Sequence, residues 1–230
     1  MINRNCARVM ALPDPLLVEE STLHKLSPWL EEALKDLDDN ANHHDYFAAL
    51  LIVLLWEAGF RISTDKANNT DKRTTQVRPR IPKVLKSKET GIYDITVHHH
   101  RCPSVDCKLL AVPTGDRSIV NFYPLIEDRR IFSMAVQCLK YINPFSSQLS
   151  GRYMNLREIA HRFKDNLVTP VRSDTLMSEG LPAPSLEGLP VEMQLKIISY
   201  LDIPSEVILY HSCDHFNQLI KIKNLPNLNT

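Results

Sequence analysis

The sequence predicts an α+β fold: an antiparallel sheet with flanking helices, followed by a small all-α module. Three observations lead there. Two apolar-periodic helical stretches open the chain, three period-two stretches follow between Ile92 and Tyr123, and the last forty residues return to helical spacing in three short pieces. Runs of one element type with a separate helical end suggest one domain plus a small module rather than an alternating α/β chain.

Taken in order, residues 1–20 show no period and are expected as a loose arm. Ser27-Pro28 reads as a helix start, a capping hydroxyl followed by a first-turn proline, with Glu31 and Glu32 placed to favour the positive helix end. Leu30, Ala33, Leu34 and Leu37 form its apolar stripe. After Asn40-Ala41-Asn42 a second helix is predicted from about His43 to Ala58, with Gly59 as its stop. It is apolar nearly all round and therefore central, and Trp56 is expected as core.

Residues 61–90 change character. Nine basic and three acidic side chains give the segment +6 against −6 for the remainder. Little apolar periodicity is present, so a solvated loop inside the domain is expected. An acidic or nucleic-acid partner is the rival reading, weakened because the segment lacks aromatics for base stacking. Ile92–Val97, Lys108–Val112 and Ser118–Tyr123 read as strands of a meander, with Pro113-Thr114-Gly115-Asp116 as a turn. Residues 131–142 fit strand and helix spacing equally. Tyr153–Leu167 is predicted as a helix with Leu156, Ile159, Ala160, Phe163 and Leu167 on one face. Residues 168–188 hold Pro170, Gly180, Pro182, Pro184 and Gly188, a linker composition; the boundaries read as 21–170 for the domain, 171–185 for the linker and 186–225 for the module.

In that module Pro190 suits a first helical turn. Met193, Ile197 and Leu201 lie at i, i+4 and i+8, beside Leu195 and Ile198. Asp202-Ile203-Pro204 breaks the helix, Ser205 is expected to cap a second, and Ser212 a third carrying Cys213, Phe216, Leu219 and Ile220. So short a segment cannot build a large core, and a partner surface is the natural cover for what it leaves exposed.

Composition excludes several functions. The 43% hydrophobic content supports a sizeable core, and zero net charge gives no global pull toward nucleic acid or an anionic membrane. Six glycines argue against phosphate loops. The longest apolar run, Phe47 to Ala58, is interrupted by Glu57 and too short to span a bilayer. No secretory signal is visible. Cys6, Cys102, Cys107, Cys138 and Cys213 are odd in number and scattered, so reduced thiols in the cytoplasm, or in the nucleus as well, are expected. His98-His99-His100-Arg101-Cys102 with Cys107 is the only metal-like cluster. Strand neighbours point to opposite faces, so His98 and His99 are not expected to meet at one ion. No activated nucleophile is apparent, Cys213 belongs to an apolar helix side, and no cofactor is expected.

Leu189-Pro190-Val191-Glu192, the Ile197-Ile198 pair, Tyr200-Leu201, the loop with Pro204 and the Cys213/Phe216/Leu219 close resemble the F-box, without a gap. Glu206 and Ser212 depart from its pattern, which usually has Leu and Val there. A second resemblance is to the FP domain, known from an F-box protein and a proteasome inhibitor. It rests on Leu54–Phe60, Ile92–Val97, Leu109–Gly115 leading to Ile119-Val120-Asn121, and Arg162–Leu167. Together these resemble the F-box proteins with an FP domain. That resemblance makes residues 131–139 a strand. It implies a non-catalytic subunit whose F-box docks the Skp-type adaptor of a cullin–RING ubiquitin ligase through Leu189, Pro190, Glu192, Met193, Ile197, Ile198, Leu201, Pro204 and Leu209. It also implies an FP domain that pairs with itself as a dimer or with a proteasome inhibitor. Candidate pairing residues are Leu30, Leu34 and Leu37 on the first helix and Ile119 and Val120 on the sheet. Alternatives are a scaffold that stabilises its partner without ubiquitinating it, and a basic-loop nucleic-acid binder. Some relatives carry an N-terminal ubiquitin-like domain or a Pro/Arg-rich tail after the F-box. Neither is expected here, and direct action on the proteasome is not expected.

Overall fold

The computed structural model describes residues 16–22, 24–38, 40–63, 79, 81–82, 86–183 and 186–223. Most of the basic segment at 61–90, and the first fifteen residues of the expected arm, lie outside them. The fold is α+β, and the chain divides into two compact units, Met1–Val171 and Arg172–Thr230.

The first unit is built around helix α2, His43–Glu57. Every residue from His44 to Leu55 is buried, so no stripe of the helix is left for water and the rest of the unit must wrap it. Helix α1, Pro28–Leu34, lies against it with Leu30, Ala33 and Leu34 inward. Ser27 is the N-cap residue by backbone, but its side chain caps nothing. The buried hydroxyl has no hydrogen-bond partner among the described residues. Asn42 caps α2 in full: its Oδ1 accepts from the backbone N–H of His44 and Asp45, at 2.8 and 3.1 Å, and Asp45 accepts in return from Asn42 N–H at 2.8 Å.

Five strands form one antiparallel meander in chain order: β1 Phe60–Ile62, β2 Tyr93–His99, β3 Cys102–Thr114, β4 Arg117–Pro124 and β5 Phe132–Gln137. Strand β1 falls in a segment read from sequence as helix stop and loop. It is only three residues long, and period two has no room to show. Gly59, with φ +93°, turns the chain from α2 into it. A Cβ there would stand 2.6 Å from His100 Nδ1, so both backbone and space call for glycine. At the β3–β4 hairpin the ladder continues through Pro113 and Thr114, and only Gly115 and Asp116 form the loop. Gly115, φ +65°, takes the first loop position, where a II′ turn needs glycine.

The register places Ile95, Leu109, Phe122 and Phe132 in one row across the sheet, and Tyr93, Ala111, Val120 and Met134 in the next. Both rows belong to the core. Val112, Ile119 and Ala135 form a row on the opposite face. The ambiguous residues 131–142 resolve into β5 followed by a 3-10 turn, Cys138–Lys140. Pairing with β4 decides what spacing alone could not.

Helix α3, Leu149–Arg152, and helix α4, Leu156–Phe163, follow. The predicted start at Tyr153 is early by three residues, because Tyr153 is extended and bridges Ile142. Beyond α4 the expected linker is helical: a π turn, Lys164–Val168, leads into α5, Thr169–Ser178, where the division between the units falls. Pro170 explains both the misreading and the π turn. Its ring would clash with the carbonyl four residues back and it offers no N–H; one widened turn, with Thr169 N–H bonded to Lys164 O, lets the helix pass it.

Residues 16–20 are likewise not loose. Val18 is fully buried in the core, and its N–H donates to Glu57 Oε1 at 2.8 Å. Lys164 Nζ reaches Glu19 at 2.7 Å, and lies 3.0 Å from Glu57 Oε2, a charge contact without an aligned hydrogen bond. Burial holds the Glu57 carboxyl above its ordinary range. The Lys164 ammonium is pulled down by burial but held up on balance by Glu19 and Glu57. Trp56 is half-buried at the core edge, with the Arg61 guanidinium 3.6 Å above its ring.

Asp45 ties α2 to the sheet. Besides Asn42 N–H it accepts from Tyr93 OH at 2.7 Å and Lys86 Nζ at 3.1 Å. Burial pushes its carboxyl up, yet these donors outweigh burial and hold it below 3.8. A depressed folded value means that the stability Asp45 contributes is complete above the unfolded value and is lost as pH falls through the folded one. We expect Asp45→Asn to cost about 1–3 kcal/mol at pH 7 and to flatten the acid loss of stability below pH 3.8. Urea unfolding across that range measures both.

Candidate functional site

The second unit carries three short helices: α6 Val191–Ser199, α7 Ile203–Tyr210 and α8 Asp214–Lys223. Their shared core is small. Ile198, Phe216, Leu219 and Ile220 are buried, with Leu186, Leu195, Leu209, Tyr210 and Cys213 packed against them.

The loops that hold these helices use different caps from those expected. Asp202, not Ser205, caps α7: its Oδ1 accepts from Ser205 N–H at 3.2 Å. Ser205 is already the third helical residue. Ser212 donates its hydroxyl back to Leu209 O at 2.7 Å and so finishes α7 instead of starting α8. Both serines were plausible caps by type, but Asp is an equally good cap and came first in the chain.

Gln194 fixes the entry to α6. It is buried, donates from Nε2 to Leu189 O at 2.6 Å and to Glu187 O at 2.9 Å, and its Oε1 lies 2.7 Å from His215 Nε2 on α8. The Leu189-Pro190 turn is thereby held rigid. Cys213 Sγ donates to Glu187 Oε1 at 3.2 Å, a packing thiol with a polar partner. Glu206 pairs with Lys223 at 2.6 Å, and Lys223 also donates to Ile198 O at 3.5 Å. The glutamate that stands where the F-box pattern has Leu therefore joins α7 to α8 by charge.

The unit leaves much apolar surface open. On α7, Ile203 is 80% exposed, Ile208 72% and Val207 51%. None of the helix's residues is buried. At the start of α6, Leu189, Val191 and Met193 are exposed as well. Of the predicted docking residues, Leu189, Pro190, Glu192, Met193 and Pro204 are exposed, and Ile197 and Leu201 half-exposed. Ile198 is a correction: it is fully buried among the three helices. Leu209 is half-buried against the same cluster. Val191, Ile203, Val207 and Ile208 were missed, although a signal existed. An eight-residue helix with apolar side chains all round cannot hide them in so small a core.

The first-unit pairing residues divide in the same way. Leu30 and Leu34 face α2 and are buried, and Leu37 packs partly against the same core. Val120 is fully buried and Ile119 is 44% exposed, as strict alternation along β4 requires. Of the five, Ile119 is the one on open surface.

His99 turns inward, edge-on to Phe60 at 5.2 Å, while His98 is half-exposed with its Nδ1 3.4 Å from Ser63 Oγ. Cys107 is buried in the core. Among the described residues no group of three or more His, Cys, Asp and Glu is placed to hold a metal ion. The sharpest buried polar cluster lies elsewhere and was not foreseen. His44 Nε2 is 2.9 Å from Gly115 O, and its Nδ1 is 3.1 Å from Ser118 Oγ and 3.5 Å from Cys138 Sγ. Burial pushes the Cys138 thiol up to about 11, which leaves it neutral and unreactive at ordinary pH. The cluster ties α2 to the hairpin tip.

In chain order, a meander wrapped on a central helix is followed by a three-helix unit opening with Leu-Pro-x-Glu. No family model matches the chain, but known proteins do. It is similar to F-box only protein 7 of Homo sapiens, 26% identical over 205 residues, 87% of this chain and 37% of that protein. It is similar to the protein nutcracker of Drosophila melanogaster, 29% identical over 104 residues, 43% of this chain and 33% of that one. F-box only protein 7 of Rattus norvegicus is 24% identical over 225 residues, 90% of this chain and 41% of the relative. The chain thus spans well under half the length of these relatives.

Gln194→Ala leaves the Leu189 and Glu187 carbonyls without their buried donor. We expect about 1–3 kcal/mol of local stability to be lost. Faster amide exchange in α6 and α8, with exchange in the sheet unchanged, is the measurement.

Proposed function

We propose that this chain is the F-box subunit of a Skp–cullin–RING ubiquitin ligase and that it supplies proximity, not chemistry. The single observation that carries this reading is α7, a helix rich in apolar side chains with none of them buried. Val191 and Met193 add to it from α6. An adaptor surface that covers them would remove the penalty of apolar area in water. The similarity to F-box only protein 7 and nutcracker supports the same assignment. The first unit then binds an FP-domain partner, a second copy or a proteasome inhibitor, and raises its effective concentration near the ubiquitin-loaded enzyme. A site of action in the cytoplasm, or in the nucleus as well, fits this role. Regulation of the proteasome through that partner is the process it would serve.

Val207→Asp and Met193→Asp each place a carboxylate where the adaptor would exclude water. Because both positions are exposed, the fold should survive. An unpaired carboxylate in such an interface costs several kcal/mol, so adaptor capture should fall by about a hundredfold or more. Co-purification of the full chain with a Skp-type adaptor tests this, and undiminished capture would rule the docking face out.

Ile119→Lys should weaken pairing between first units and leave the melting curve within about 0.5 kcal/mol of the parent. Val120→Lys, which buries an uncompensated ammonium, should unfold the unit instead. Sedimentation of the full chain, with and without an FP-domain partner, reads the first. A circular-dichroism melt reads the second.

A further inference from the structure

We propose that the first unit carries an anion site for a phosphate monoester, at the end of the sheet where β4 begins and β5 ends. A cleft of about 240 Å³ opens there, lined by Arg117, Gln137, Lys140, Tyr141 and Arg162 over Ala135 and Val136. Three different stretches of chain bring the cations together. Arg117 opens β4 and stands opposite Gln137 in the ladder. Lys140 ends the 3-10 turn after β5, and Arg162 projects from α4.

Two of the cations are already positioned. Arg162 Nη1 donates to Tyr141 OH at 2.9 Å, and Tyr141 OH donates to Glu158 Oε1 at 2.9 Å. Lys140 Nζ bonds the same carboxylate oxygen, which lies 4.0 Å from Arg162 Nη1. Holding both side chains this way removes part of the ordering entropy that a ligand would otherwise have to overcome. Glu158 does not line the cleft. Asp116 does not line it either, and it accepts from the Gln137 amide at 3.2 Å. Arg117 is exposed, and among the described residues it has no ion-pair or side-chain hydrogen-bond partner.

The number of converging donors selects the ligand class. Two carboxylates stand beside the lining, Glu158 on Lys140 and Asp116 on Gln137, against the three cations Arg117, Lys140 and Arg162. A phosphate monoester carries about −1.5 to −2 at pH 7 and accepts through three oxygens, so each of the three cations can donate to its own oxygen, whereas a carboxylate has only two. Guanidinium groups favour such multidentate oxygen acceptors. The volume equals about eight water molecules at liquid density, enough for a phosphate and the few atoms that carry it. This site is independent of the adaptor-docking face, and its test does not depend on that reading.

The experiment titrates the full chain, at fixed ionic strength so that general screening is constant. The probes are inorganic phosphate, a phosphoserine pentapeptide, and the serine and glutamate versions of that peptide. Amide shifts at residues 117 and 135–141 report binding. The expected result is saturable phosphopeptide binding at about 1 mM or tighter, weakened about tenfold by Arg117→Gln and unaffected by Arg129→Gln, an exposed cation on the β4–β5 connection outside the cleft. Phosphopeptide binding tighter than inorganic phosphate assigns the site to a phosphorylated chain; equal binding assigns it to free phosphate. Equal binding of the glutamate peptide, absence of saturation, or indifference to Arg117→Gln overturns the proposal.

Discussion

The structure depends on one constraint: helix α2 cannot face water anywhere. Twelve consecutive residues, His44 to Leu55, are buried, and each other element of the first unit answers to that. The sheet offers α2 an apolar inner face, α1 covers one flank, and α4 adds Ile159, Ala160 and Phe163 to the same core. Even Val18, far up the chain, is drawn in. The polar ends of the helix are where the wrapping is fastened. Asn42 and Asp45 bind at one end, Glu57 and Lys164 at the other, so desolvated charge sits only where a partner meets it.

The second unit obeys the opposite condition. Its helices are too short and its shared core too small to enclose all their apolar side chains. It settles for a minimal cluster around Ile198 and Phe216 and stiffens itself with polar ties, above all Gln194. A rigid unit with open apolar surface is well suited to association, because little ordering remains to be done on binding.

Much of this was legible in the sequence, for identifiable reasons. Helix α2 and strands β2 to β4 have strong periods, and the glycines at 59 and 115 mark turns whose backbone only glycine suits. The alternation of Ile119 and Val120 was visible, but not its phase, since either residue could have faced in. Residues 131–142 needed a neighbour to decide them, because pairing is non-local. Pro170 and its surrounding glycines and prolines resembled a linker because composition does not reveal a π turn. Leu30 and Leu34 looked like free surface because a stripe cannot say which body covers it. The choice of Asp202 over Ser205 as cap turned on a single residue of offset, finer than propensity resolves.

The Glu206–Lys223 pair has a consequence of its own. A leucine at 206 would slide against α8 with little preference for one alignment over the next. A carboxylate that must meet one ammonium admits a single setting, so charge here exchanges some adhesive strength for register. The pair is partly solvated, with side chains 19% and 28% exposed, so added electrolyte loosens it in a way that a greasy contact would not feel. The seam between α7 and α8 thereby becomes responsive to ionic conditions, at the helix that bears the most open apolar surface.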